Sequence, residues 1–70
     1  MERRTNKLSF RVKEERERAG ITQEELSKRS GVSRAIISGL ENGSIETTTT
    51  KTLIKISDAL GKKVSDIFLQ

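Results

Sequence analysis

Seventy residues make one domain near the lower size limit for a chain that folds on its own core, and the absence of cysteine and histidine excludes disulfides, thiolate metal sites and the usual general base. No apolar run approaches the roughly 20 residues of a membrane span, and the polar N-terminus is unlike a signal peptide, so a soluble cytoplasmic protein without metal or cofactor is expected. The net charge of +4 is lopsided: residues 1–35 carry ten Lys/Arg against six acids, residues 36–70 four against four, a distribution that suits a polyanion-binding surface and is equally compatible with a solvated one.

In chain order, residues 1–6 read as a basic arm, with Arg3, Arg4 and Lys7 able to reach phosphates or to stay solvated. Leu8, Val12 and Ala19 fall on one stripe of a first helix, expected to begin near Thr5 or Asn6 and to end before Gly20. Its other faces, "RVKEERER", suit solvent and allow a Glu14–Arg18 pair at i, i+4. Phe10 lies off that stripe. Thr22 followed by Gln23, Glu24 and Glu25 is a helix start, with Thr22 and Glu25 in capping-box positions. Leu26 anchors this second helix, which ends near Ser30. Ser33 caps a third helix running through Asn42, with Ile37 and Leu40 inward and Gly43 as its stop. "SIETTTT" is β-branched and polar and reads as a loop. Thr49 then caps a fourth helix whose stripe is Leu53, Ile56 and Leu60. After Gly61, "KKVSDIFLQ" forms a last short helix presenting Val64, Ile67 and Phe68. The result is a compact all-α domain of five helices, spanning residues 1–70 as one unit.

Helices two and three meet across "SGVS", a short turn containing glycine. Gly31 supplies the left-handed conformation for a sharp turn and Val32 fills the angle. This is helix-turn-helix spacing over about residues 22–42, and an ordinary αα-hairpin has the same spacing. The third helix differs from the rest of the chain: Ala35 to Leu40 holds no charge, while about one-third of the sequence is charged.

The stretch "GITQEELSKRSGVSRAIISGLENG", with "LIKISDALGKKVSDIF" behind it, resembles the lambda-repressor/Cro-like helix-turn-helix family, also called the XRE family. The likeness covers about residues 8–68 and rests on Arg16, Gly20-Ile21-Thr22-Gln23, Leu26, Gly31-Val32-Ser33, Ile37 and Leu40-Glu41-Asn42-Gly43 taken together. It implies a five-helix domain, a homodimer, and a third helix in the major groove of a palindromic double-stranded DNA operator. It places Ser33, Arg34, Ala35, Ser38 and Gly39 at base-reading positions. Arg34 is the strong hydrogen-bonding reader, suited to guanine O6 and N7, while Ala35 and Ile36 suit thymine methyl groups. Gly39 and Ile36 both depart from the residues common in the family. A mid-helix glycine costs ~1 kcal/mol relative to alanine, which close approach to DNA or a packing contact would each explain.

The resemblance also places Gln23 and Asn42 at phosphates; Thr22 beside Gln23, the loop hydroxyls of Ser44, Thr47 and Thr48, and the charge of Lys51 are further candidate phosphate contacts. Gln23 also has a plain reading as a solvated first-turn residue, and Asn42 as a residue that shapes its turn. Arg16 and Glu41 match a salt bridge between helices one and three that orients the recognition helix. Lys62 stands where relatives often carry an apolar residue. Ile67, Phe68 and Leu69 form the most apolar end of the chain and are candidate dimer contacts, although Phe68 also suits the monomer core.

The implied function is a bacterial or phage-encoded transcriptional regulator acting at the nucleoid, of the phage, plasmid or restriction-modification controller type. At this length no separate effector domain is expected, so repression by blocking polymerase is the default, with no membrane or small-molecule partner. The alternative is an antitoxin-like protein-interaction module that retains the fold. An enzyme is disfavoured, because the carboxylate pairs Glu14/Glu15 and Glu24/Glu25 fall in solvated helical runs.

Overall fold

The computed structural model describes residues 11–45 and 48–68, which form five helices: α1 (Val12–Arg18), α2 (Gln23–Ser30), α3 (Arg34–Asn42), α4 (Thr50–Leu60) and α5 (Val64–Ile67). Three of them start on the expected hydroxyl caps. Thr22 Oγ1 accepts the Glu25 N–H at 3.0 Å while the Glu25 carboxylate accepts from the Thr22 N–H at 3.4 Å. Ser33 Oγ accepts from Ile36 N–H at 3.3 Å, and Thr49 Oγ1 from Thr52 N–H at 3.1 Å. Each cap satisfies a donor that the first turn of a helix leaves unpaired. α5 starts without a hydroxyl: the Lys63 N–H donates to Asp66 Oδ2 at 3.0 Å.

α2 packs on α3 and α4, α1 touches α3 and α4, and α5 packs on α4. The helices enclose Val12, Ile21, Leu26, Val32, Ile37, Leu40, Ile56, Ile67 and Phe68. On α4 only Ile56 of the expected stripe is fully buried, whereas Leu53 and Leu60 are half-buried against the core edge.

The structure adds to or changes four expectations. First, the described α1 runs from Val12 with Arg11 at its N-cap, and the Arg11 N–H donates to the Ile67 carbonyl at 2.9 Å. The expected start at Thr5 or Asn6, the arm residues Arg3, Arg4 and Lys7, and also Leu8 and Phe10 lie outside the described residues. Second, Ala19 is exposed rather than inward. Ala19 is the C-cap and keeps helical dihedrals, with its N–H donating to the Glu15 carbonyl at 2.9 Å, but no element covers its side of the last turn enough to bury it. The second inward residue of α1 is Glu15. Third, Arg18 pairs with Glu15 at 3.2 Å rather than with Glu14, which sits 3.9 Å from Arg11. Lys62 approaches the same buried Glu15 at 3.8 Å, so the cation in an apolar family position has a carboxylate beside it. Fourth, Ile67 and Phe68 are both buried in the core of the single chain. Capping by Asp66 turns this last turn of helix onto the core, and the Arg11 bond holds it there. Leu69 lies outside the described residues.

Candidate nucleic-acid interface

The turn between α2 and α3 is sharp because Gly31 sits in the left-handed region at φ +77°, where a Cβ would be strained. Its N–H returns to the Ser27 carbonyl at 2.8 Å. Two serines complete the turn: Ser27 Oγ donates to the Val32 carbonyl at 2.6 Å, and buried Ser30 Oγ accepts the Val32 N–H at 3.1 Å. The spacing of the chain did not single out these serines. Val32 drops into the core between the helices.

This geometry leaves the first turn of α3 on the outside. Ser33, Arg34 and Ala35 are exposed, Ser38 is half-exposed, and that turn carries no acid. Ile36 is half-buried, resting on the core rather than standing free. The one carboxylate of α3 is Glu41, whose side chain is only 4% exposed. Arg16 of α1 meets it with two donors, Nε to Oε2 at 2.7 Å and Nη2 to Oε1 at 3.1 Å, while Nη1 donates to the Ile21 carbonyl at 2.8 Å. The forked guanidinium thus joins α1, the loop before α2, and the end of α3.

The Arg16 pKa is raised, chiefly by its hydrogen bond to Glu41. Burial pushes Glu41 up, but hydrogen bonds from Arg16 and Gln23, and the nearby charges of Arg16 and Lys13, outweigh it and hold the carboxyl below its ordinary value. The carboxylate is therefore ionised at neutral pH, yet it is turned away from the outer face of α3.

Gln23, the first residue of α2, links this pair to the reading face. Its Nε2 donates to Glu41 Oε1 at 3.0 Å, and its Oε1 accepts from Arg34 Nε at 3.5 Å. Gln23 and Arg34, together with Thr22, line one open cleft with Arg16. The half-buried amide is thus more than a solvated first-turn side chain.

Gly39 is not on the exposed face of α3. It is buried, and a Cβ built there would lie 2.5 Å from Ile45 Cδ1 and 2.6 Å from Ile45 Cγ1. The loop after α3 folds back over this glycine, with the Ile45 N–H donating to the Gly39 carbonyl at 3.0 Å. The missing side chain accommodates Ile45. Asn42 Oδ1 accepts the Ser44 N–H at 2.8 Å, so its side chain shapes the turn at Gly43. Ser44 and Lys51 are exposed and Thr48 is half-exposed; Thr47 lies outside the described residues.

Comparison with known proteins agrees with this architecture. A helix-turn-helix family model matches residues 12–67. A curated relative from Archaeoglobus fulgidus, described as an uncharacterized HTH-type transcriptional regulator, is 42% identical over 62 residues, covering 89% of this chain and 86% of that protein.

Proposed function

Because the chain belongs to the lambda-repressor/Cro-like branch of the helix-turn-helix family, we propose that it is a DNA-binding transcriptional regulator that reads a palindromic operator as a homodimer, with α3 in the major groove, and acts as a repressor. The observation that carries this reading is the acid-free, outward first turn of α3, whose only helical carboxylate is buried against Arg16. A surface approaching phosphates must present donors and avoid anions.

Arg34 is the principal reader, with Ser33, Ala35 and Ser38 as smaller contacts. We leave Gly39 out of this set, because Ile45 occupies the space beside it. The start of α2 carries the phosphate contacts, through its free N–H groups, the Thr22 hydroxyl proton and the second Nε2 hydrogen of Gln23. Asn42 Nδ2, Ser44 and Lys51 supply further donors along the backbone.

Selection of bound duplexes from a random pool at near-physiological salt tests the reading. A palindrome with half-sites about one helical turn apart is the expected product. Arg34→Ala is then expected to relax preference at one symmetric position by ~1–3 kcal/mol. Weak, salt-sensitive binding with no enriched sequence would overturn the specific-regulator reading and point to a protein partner.

A further inference from the structure

The geometry points to Glu41 as a positioning residue for base reading, acting through the Gln23 amide on the Arg34 guanidinium. This inference rests on the DNA-reading role of Arg34 proposed above.

An ionised carboxylate only accepts hydrogen bonds, whereas a glutamine amide has one donating and one accepting end. Glu41 Oε1 lies 3.0 Å from the Gln23 amide, which sets the donating Nε2 inward. The accepting Oε1 is thereby turned outward, where Arg34 Nε meets it at 3.5 Å. A guanidinium has donors alone, so the opposite amide orientation would set donor against donor at Arg34 and acceptor against acceptor at Glu41. Glu41 thus selects the only amide orientation that attracts Arg34.

The atom engaged also matters. With Nε resting on Gln23, the terminal Nη1 and Nη2 remain available for the two acceptors of a guanine edge. Arg34 is a long exposed side chain at the first position of α3, and confining it before contact lowers the ordering cost of base recognition. Glu41 is itself fixed by the Arg16 fork. The chain Arg16–Glu41–Gln23–Arg34 therefore connects the α1–α3 lock to the reading atom.

The test uses the full chain and the operator obtained by selection. Arg34→Ala first identifies the base pair read by Arg34. Binding to the operator and to duplexes altered at that base pair is then measured for the wild type, Glu41→Gln and Gln23→Met, with folding checked by circular dichroism. Glu41→Gln is expected to reduce discrimination at that base pair by about two- to tenfold, leaving preferences elsewhere unchanged. Gln23→Met is expected to relax the same position and to bind all duplexes more weakly. Adding Glu41→Gln to Gln23→Met is expected to cause no further relaxation.

Uniformly weaker binding with an unaltered preference profile in both variants would reduce Glu41 to a stabilising residue and overturn the relay. Should Glu41→Gln fail to fold, Gln23→Met decides alone, since its side chain is at the surface edge of α2 and the relay requires it to relax the Arg34 position. A wild type that selects no sequence overturns the regulator reading itself, an outcome distinct from a selective wild type with an unchanged profile in the variants.

Discussion

At the scale of single residues, the most informative position is Gly39. Its place in mid-helix costs helix propensity, and its neighbour Ile45 accounts for that cost: the loop needs the volume a side chain would occupy. Gly39→Ala gains ~1 kcal/mol of propensity but forces Ile45 off its position, at ~1–3 kcal/mol for overpacking. We expect a net loss of up to ~2 kcal/mol in urea denaturation. In an Ile45→Ala background the same substitution is expected to become stabilising, because the remaining close neighbour, Ser44 Oγ at 3.2 Å from the built Cβ, lies on an exposed side chain that can turn aside. Equal effects in both backgrounds would show that Ile45 is not the reason for the glycine. Arg34 is the contrasting case, since its proposed reading role comes from the family resemblance, with its residue type suiting guanine. Its contact with Gln23 requires the two helices to be brought together.

At the scale of elements, α3 is held by two devices of different range. The Ser27, Ser30 and Gly31 bonds fix its angle to α2 locally. The Arg16–Glu41 fork fixes its far end to α1 across 25 residues of sequence. Both side chains of the fork are largely buried, so Arg16→Ala, which strands a buried carboxylate, is expected to cost ~3–5 kcal/mol. The lock also carries a pH dependence. Glu41 has a lowered folded pKa, so its stabilisation is present in full above the range where an unfolded glutamate titrates, about 4.3, and is lost as pH falls through the lower folded value. The stability difference between wild type and Glu41→Gln, followed by urea midpoint from neutral to acid pH, is expected to shrink over that interval. A difference that stays constant into strong acid would contradict a lowered Glu41 pKa.

For the whole molecule, small size makes each long-range tie important. A single core in a chain of this length supplies about 3–5 kcal/mol, comparable to the loss expected from breaking the Arg16–Glu41 pair, so Arg16→Ala should leave the protein largely unfolded near 25 °C. The tie between the residue before α1 and α5, through the Arg11 N–H to the Ile67 carbonyl and the burial of Ile67 and Phe68, is of the same kind. Phe68→Ala is expected to cost ~3–5 kcal/mol and to do so equally at low and high protein concentration. A loss confined to high concentration would instead place Phe68 in a subunit contact.

What the sequence by itself determined is what acts over a turn or two of chain. The hydroxyl caps at Thr22, Ser33 and Thr49, the turn at Gly31, and the inward Leu26, Ile37, Leu40 and Ile56 are local codes, and the helices begin, turn and pack accordingly. The reading positions and the Arg16–Glu41 pair were legible only through family resemblance, because spacing does not say which distant charge a buried carboxylate will meet. Tertiary structure alone decided the rest. It joined Arg11 to Ile67, gave Glu15 rather than Ala19 the inward position, covered Gly39 with Ile45, and joined Gln23 to Glu41. The physical reason is range: capping and periodicity depend on neighbours a few residues away, whereas burial and pairing depend on which surfaces the folded chain brings together.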